Sequence, residues 1–277
     1  MGASSFGECF NFLLKIFSLP ILKILFIFML VGLEKLTLVN FPTKVASAVF
    51  LPGCNMRCPF CHNAELALAS SIEGITQDQS NNQYYPLEEV FSFLEKRRKL
   101  ISGVVITGGE PFASPYLSHI LERIKQMELA IKIDTNGLFP KRLKEVLYDK
   151  DVTPDMVAID IKTSPNRYIE LMGDDVKNGD LIAKKIIESL NILNKFRAEN
   201  KNFNVDYRTV LVPNLVGKKE IEEIAFLLPK DAIWNFAEFV RGGCLNSDWN
   251  NLAPYSRDEI FKLISFAQSF IKNATLR

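Results

Sequence analysis

Short β-branched runs alternate with amphipathic helical runs from about Leu36 onward, and this alternation restricts the possible folds more than any other feature of the chain. Lys44 to Leu51, Gly103 to Thr107, Ala130 to Asp134, Met156 to Ile161, Asn204 to Val212 and Ile233 to Phe239 read as strands. The intervening helices are Leu87 to Arg98, a segment from about Tyr116, Lys141 to Tyr148, Leu181 to Phe196, Lys218 to Leu228 and Ser256 to Ile271. Pro86 opens the first helix, and Ser114 with Pro115 supplies an N-cap and a first position for the second. Repeated βα units require parallel strands joined by right-handed crossovers, which gives an α/β fold with an open doubly wound sheet or a full or partial barrel. Six such units are too few for the eight-stranded barrel. In all these folds the chemistry gathers at the carboxyl ends of the strands.

With 277 residues, 48% of them hydrophobic and 23% charged, the chain can bury a sizeable core, and collagen-like, mucin-like and wholly disordered classes are excluded. Its 33 basic and 32 acidic residues leave +1, so no global field favours nucleic acid or an acidic membrane as partner. Residues 1–28 stand apart, carrying six of the 21 Phe. From Phe12 to Val31, 16 of 20 residues are apolar, long enough to cross a bilayer, yet Lys15, Pro20 and Lys23 interrupt the span. No basic region precedes it and no small-residue cleavage site follows, so it fits a signal peptide poorly. The preferred expectation is an in-frame upstream extension with Met29 as the start, the alternative being a membrane anchor at residues 12–31. The polar stretch from Ser70 to Gln83 reads as a surface loop.

Of the five cysteines, Cys54, Cys58 and Cys61 fall within eight residues, while Cys9 and Cys244 stand alone. An odd count clustered in this way is no disulfide framework and points to a reducing compartment. The trio follows the first strand in Gly53-Cys54-Asn55-Met56-Arg57-Cys58-Pro59-Phe60-Cys61-His62-Asn63, and its spacing lets three thiolates face one centre. Thiolates are soft ligands suited to zinc or to iron and sulfide. A closed zinc site needs a fourth ligand, which His62 is poorly placed to give, whereas a [4Fe-4S] cluster on three cysteines keeps one iron open to substrate.

Other strand ends also carry polar motifs. Gly108-Gly109-Glu110-Pro111 follows the second strand, where two glycines allow backbone to approach a ligand and the carboxylate can accept from an ammonium group. Asp134-Thr135-Asn136-Gly137 ends the third strand and Asp160-Ile161-Lys162-Thr163 the fourth, so the two aspartates could share a cation while Lys162 pairs with a carboxylate. His119 is expected to be a surface or packing residue, Cys244 a packed one, and Lys96 to Lys99 a solvated basic face.

Cys54, Cys58, Phe60 and Cys61 match the C-x-x-x-C-x-aromatic-C signature, and the chain resembles radical S-adenosylmethionine enzymes. Within them, His62-Asn63 resembles the glycyl-radical activating enzymes, and Gly32 to Leu38, Leu94 to Arg98, the Asp-Thr-Asn-Gly and Asp-Ile-Lys segments, Arg208-Thr209-Val210 and Val212-Pro213 resemble those of anaerobic ribonucleoside-triphosphate reductases. The likeness spans roughly Gly32 to Phe239. Two departures are Asn40-Phe41-Pro42-Thr43, where Asp-Phe-Pro-Gly is expected, which should affect a turn, and the poorly matched Asn235-Phe236-Ala237-Glu238. The resemblance implies a partial (β/α)6 barrel forming a catalytic domain at 32–277, preceded by the hydrophobic extension at 1–31.

The same resemblance implies a [4Fe-4S] cluster on Cys54, Cys58 and Cys61, with S-adenosylmethionine bound by Phe60, Gly108, Gly109, Glu110, Asp134, Thr135, Asn136, Asp160 and Lys162. Glu110 would accept from the methionine ammonium, and a monovalent cation would lie beside the carboxylate. The implied partners are a glycyl-radical enzyme, here anaerobic ribonucleotide reductase, and a flavodoxin- or ferredoxin-like electron donor, in the cytoplasm. Alternatives are a pyruvate formate-lyase type partner, a small-molecule substrate or, in a different class, a non-catalytic zinc or electron-transfer module.

Overall fold

The structure, a computed structural model, describes residues 29–69 and 84–277. The expectations for residues 1–28, including Cys9 and most of the apolar span, and for the 70–83 loop lie outside the described residues.

The chain opens with β1 (Leu30–Thr37) and turns back into β2 (Ala46–Leu51). A short helix α1 (Ala64–Leu68) and strand β3 (Tyr84–Pro86) precede the regular alternation. That alternation runs α2 (Leu87–Arg97), β4 (Gly103–Gly108), α3 (Leu117–Gln126), β5 (Ala130–Thr135), α4 (Pro140–Tyr148) and β6 (Met156–Asp160). It continues with α5 (Gly179–Glu199), β7 (Asn204–Leu211), α6 (Lys218–Ala225), β8 (Ile233–Glu238), α7 (Arg257–Gln268) and β9 (Ala274–Leu276). Among the described residues the sheet has nine strands in the order β3-β1-β2-β4-β5-β6-β7-β8-β9. From β2 through β9 the pairs are parallel, and β1 is antiparallel to both β2 and β3. The expected partial barrel of six parallel βα units is present, with three further strands at its edges.

Period-two alternation divides each central strand between two environments. Ile131 and Ile133 of β5, Val157 and Ile159 of β6, and Val205 and Tyr207 of β7 pack in the main core with the helices. Each helix contributes a matching stripe, such as Leu117, Ile120, Leu121 and Ile124 of α3. The intervening residues of these strands point the other way, and there the side chains are Lys132, Asp134, Ala158, Asp160, Asp206 and Arg208. Below them Phe41, Ala46, Ala48 and Val105 form a small second apolar cluster.

Three boundaries differ from the sequence expectation. The fold takes in Met29 and Val31, both buried: Val31 is a core position of β1, and just ahead of that strand the Met29 carbonyl accepts from the Leu87 N–H. The second predicted helix begins at Leu117, not at the Ser114 cap: Pro111–Ala113 forms a single 3-10 turn capped by the Glu110 side chain, and Ser114 Oγ accepts from the Tyr116 N–H. The first predicted strand loses Lys44 because the Lys44 N–H closes a turn onto the Phe41 carbonyl. His119 is exposed and Cys244 half-buried against the core, in keeping with the roles expected of them. No helix among the described residues is long and apolar enough to cross a membrane.

The turn at Asn40-Phe41-Pro42-Thr43 gives physical content to its departure from the resembled pattern. Thr43 has φ 64°, a left-handed conformation that a β-branched residue adopts at a cost and that glycine adopts freely. Thr43→Gly should therefore raise stability by about 1 kcal/mol in urea unfolding, the relieved strain exceeding the added unfolded-state entropy. A loss of stability would overturn this account of the turn.

Candidate active site

The strand ends meet because β4 runs against the end of β2 with no side chain between them. The Gly109 N–H donates to the Leu51 carbonyl at 2.8 Å and the Glu110 N–H to the Gly53 carbonyl at 2.8 Å. A Cβ on Gly109 would lie 2.0 Å from the Gly53 oxygen, and one on Gly108, at φ 112°, would lie 2.5 Å from Leu51 backbone. The glycine pair thus serves an approach between two segments of the chain's own backbone, a requirement beyond the approach to a ligand expected of it. Gly108 and Gly109 also line the cavity that this contact shapes.

Glu110 is fully buried beneath that cavity. Its Oε1 accepts from the Phe112 N–H at 3.0 Å and from Thr135 Oγ1 at 2.8 Å, and its Oε2 accepts from the Asn136 N–H at 2.7 Å. The carboxylate therefore ties the end of β4 to the end of β5. Burial raises its pKa to about 7, against the pull of those donors toward the ionised form. Asn136, so placed, donates from Nδ2 to Asn55 Oδ1 at 2.8 Å and lies 3.8 Å from Cys54 Sγ.

The cysteine loop is held from several directions. The Gly53 N–H donates to the Leu66 carbonyl and the Arg57 N–H to the Leu171 carbonyl. On the opposite side the Leu245 and Asn246 N–H groups donate to the Cys61 and Pro59 carbonyls, and Phe60 packs 6.1 Å from Trp249. Burial raises the Cys54 thiol and pushes Cys58 up to about 12, while Lys162 acts in the opposite direction on both.

Cys54, Cys58, Phe60, Cys61, Gly108, Gly109, Asp134, Thr135, Asn136, Asp160 and Lys162 all line one cavity of about 610 Å³, and Glu110 supports it from below. Among the described residues, no three His, Cys, Asp or Glu side chains close around a point as ligands of a single metal ion do. A row of charges crosses the cavity floor. Lys132 Nζ bonds to Asp134 Oδ1, Arg208 NH1 lies 3.2 Å from Asp134 Oδ2, Arg208 Nε donates to Asp160 Oδ1 at 2.7 Å, and Lys162 Nζ lies 3.4 Å from Asp160 Oδ2. Burial alone would raise Asp160, but Arg208 and Lys162 hold it far below the ordinary carboxylate range. Tyr168, from the 3-10 segment Pro165–Leu171, steadies this strand end by accepting from the Lys162 N–H and donating to the Asp160 carbonyl.

Arg208, Lys132, Asn55 and Tyr168 are absent from the site residues expected on sequence grounds. A signal for the first two was present: charged residues two apart on the predicted strands, at 132/134 and 206/208, with Asp160 on the strand between them, mark one polar face of a sheet.

The model of the Radical SAM superfamily matches residues 48–228. Over 252 residues the chain is 28% identical to a provisionally named glycyl-radical enzyme activating enzyme of Methanocaldococcus jannaschii, covering 89% of this chain and 94% of that protein. The Clostridium pasteurianum pyruvate formate-lyase-activating enzyme is 27% identical over 68% of this chain and 71% of its own. Streptococcus suis SuiB superposes with a TM-score of 0.54 at 16% identity, covering 83% of this chain and 49% of SuiB. TYW1 with a lysine-pyruvate adduct bound gives a TM-score of 0.52 at 16% identity, covering 82% of this chain and 74% of TYW1.

Two outcomes follow from the geometry. Gly109→Ala should destabilise the protein by about 3 kcal/mol in urea unfolding, since backbone must yield to the new Cβ; a change under about 0.5 kcal/mol would overturn that packing account. Glu110 keeps its proton to about pH 7 when native but releases it near 4.5 when unfolded, so stability falls as pH rises between those values, by at most about 1.4 kcal/mol per pH unit. Unfolding of the cluster-free protein across that window should show the decline, with a flatter profile for Glu110→Gln; equal slopes would contradict the assignment.

Proposed function

The chain belongs to the radical SAM superfamily and is an oxidoreductase-type enzyme of that superfamily, and from that premise we propose that it is a glycyl-radical enzyme activase whose partner is an anaerobic ribonucleoside-triphosphate reductase. The observation that carries the activase reading is the near full-length match to a relative of that name. The choice of partner is supported by the Gly32–Leu38, Leu94–Arg98 and Arg208–Val210 segments, which resemble the reductase-activating subgroup.

The donor set fits a [4Fe-4S] cluster: three soft sulfur ligands share one cavity, with no fourth cysteine lining it among the described residues. Cys54, Cys58 and Cys61 would hold the cluster. When bound, such a cluster supplies the electron that splits S-adenosylmethionine into methionine and a 5′-deoxyadenosyl radical, which takes a hydrogen atom from a glycine α-carbon. Lys162 and Arg208 offer positive charge on the cavity floor to a carboxylate. Gly108 and Gly109 would give the amino end of S-adenosylmethionine a side-chain-free wall, and Glu110 braces the turn that follows them from below. Phe60 supplies an apolar wall beside the cysteine loop. Glycine suits a protein substrate because no side chain obstructs its α-carbon.

Anaerobic reconstitution with iron and sulfide tests the enzyme reading. Wild type should take up a cluster and cleave S-adenosylmethionine on reduction; Cys58→Ala should lose both, and Cys244→Ala should keep both. A colourless protein that binds one zinc and leaves S-adenosylmethionine intact would favour the zinc module instead. The partner assignment predicts a glycyl-radical doublet in the electron paramagnetic resonance spectrum of the reductase after incubation. A doublet on a pyruvate formate-lyase type enzyme alone would reassign it.

A further inference from the structure

Asp134 and Asp160 do not fit the monovalent cation that the family resemblance implies between them. All four of their carboxylate oxygens face basic side chains: Lys132 and Arg208 for Asp134, Arg208 and Lys162 for Asp160. Arg208 spans the gap itself. Its strand position is the direct cross-strand neighbour of Asp160, so the guanidinium lies on the same sheet face and reaches Asp160 through Nε and Asp134 through NH1. Lys132, Arg208 and Lys162 already compensate these carboxylates, and an added alkali ion would find no oxygen of either aspartate without a basic partner. A planar guanidinium is also the side chain whose geometry best joins two carboxylates at once.

We infer that the Arg208 guanidinium is a built-in substitute for a monovalent metal cation between Asp134 and Asp160, so that this protein binds S-adenosylmethionine without requiring sodium or potassium. Arg208 is on this view a positioning residue: it fixes the two aspartates, and through Asp160 the Lys162 ammonium, at the spacing an external ion would otherwise set. The inference rests on the proposed use of this cavity for S-adenosylmethionine, but the charge arrangement can be tested without cluster or substrate.

The experiment is a titration of the cluster-free protein with thallous ion, a potassium mimic, followed by thallium NMR. It is paired with thermal unfolding in potassium chloride, sodium chloride and N-methylglucamine chloride at equal ionic strength. Wild type should show no saturable thallous binding and the same unfolding midpoint in all three salts. Arg208→Met, which keeps the length of the side chain without its charge, should gain saturable binding and a midpoint that rises in potassium or sodium. Saturable binding to wild type that Asp160→Asn abolishes would overturn the inference, as would a folded Arg208→Met that gains none. Should Arg208→Met fail to fold, the wild-type titration decides alone. In the reconstituted enzyme, S-adenosylmethionine affinity should change less than twofold when potassium and sodium are replaced by N-methylglucamine, and a tenfold loss would overturn the inference. Failure to bind S-adenosylmethionine in any salt would instead count against the proposed function, leaving the thallium result to stand or fall separately.

Discussion

The cavity depends on one buried carboxylate. Glu110 receives the amide protons of Phe112 and Asn136 and the hydroxyl of Thr135, so the ends of β4 and β5 are fastened to a single group. Burying a carboxyl group is costly, and here three donors in a space closed to water offset part of that cost. Because Asn136 is fixed from behind, its amide can reach forward to Asn55, and the cysteine loop is braced against the third strand end. Remove the carboxylate and both the turn after β4 and the Asx geometry after β5 lose their common anchor.

A second constraint arises on the inner face of the sheet. The alternation that sends Ile131, Ile133, Val157 and Ile159 outward to the helices sends Lys132, Asp134 and Asp160 inward. Isolated charges there would be prohibitively desolvated, so they persist as an alternating row in which Arg208 touches two aspartates. The row gives the cavity a charged floor whose side chains hold one another in place, while apolar packing holds the strands that carry it.

Much of this was legible in the sequence because strand-helix alternation and thiolate spacing are local signals. The six parallel strands and the shared position of Cys54, Cys58, Cys61 and the Asp-Thr-Asn-Gly and Asp-Ile-Lys ends follow from them. What escaped depends on partners distant along the chain. Leu30 and Val31 read as the tail of an apolar stretch until β2 and β3 are placed beside them. Glu110 reads as an accessible carboxylate until Thr135 and Asn136 come to cover it. Gly109 reads as room for a ligand until Gly53 proves to be its neighbour. In each case local chemistry was read correctly and its partner was not visible.

The antiparallel pairing of β1 has a geometric corollary. Since Gly32 stands beside Phe50 and Leu30 beside Pro86, Met29 lies at the end of the sheet where the parallel strands deliver their polar motifs, level with the cysteine loop. The hairpin has therefore reversed the polarity of the chain's entry into the fold. The two ends of that hairpin are thus at opposite poles of the sheet: Met29 is buried at the pole of the polar motifs, and the β1–β2 turn exposes Leu38 and Val39 at the other.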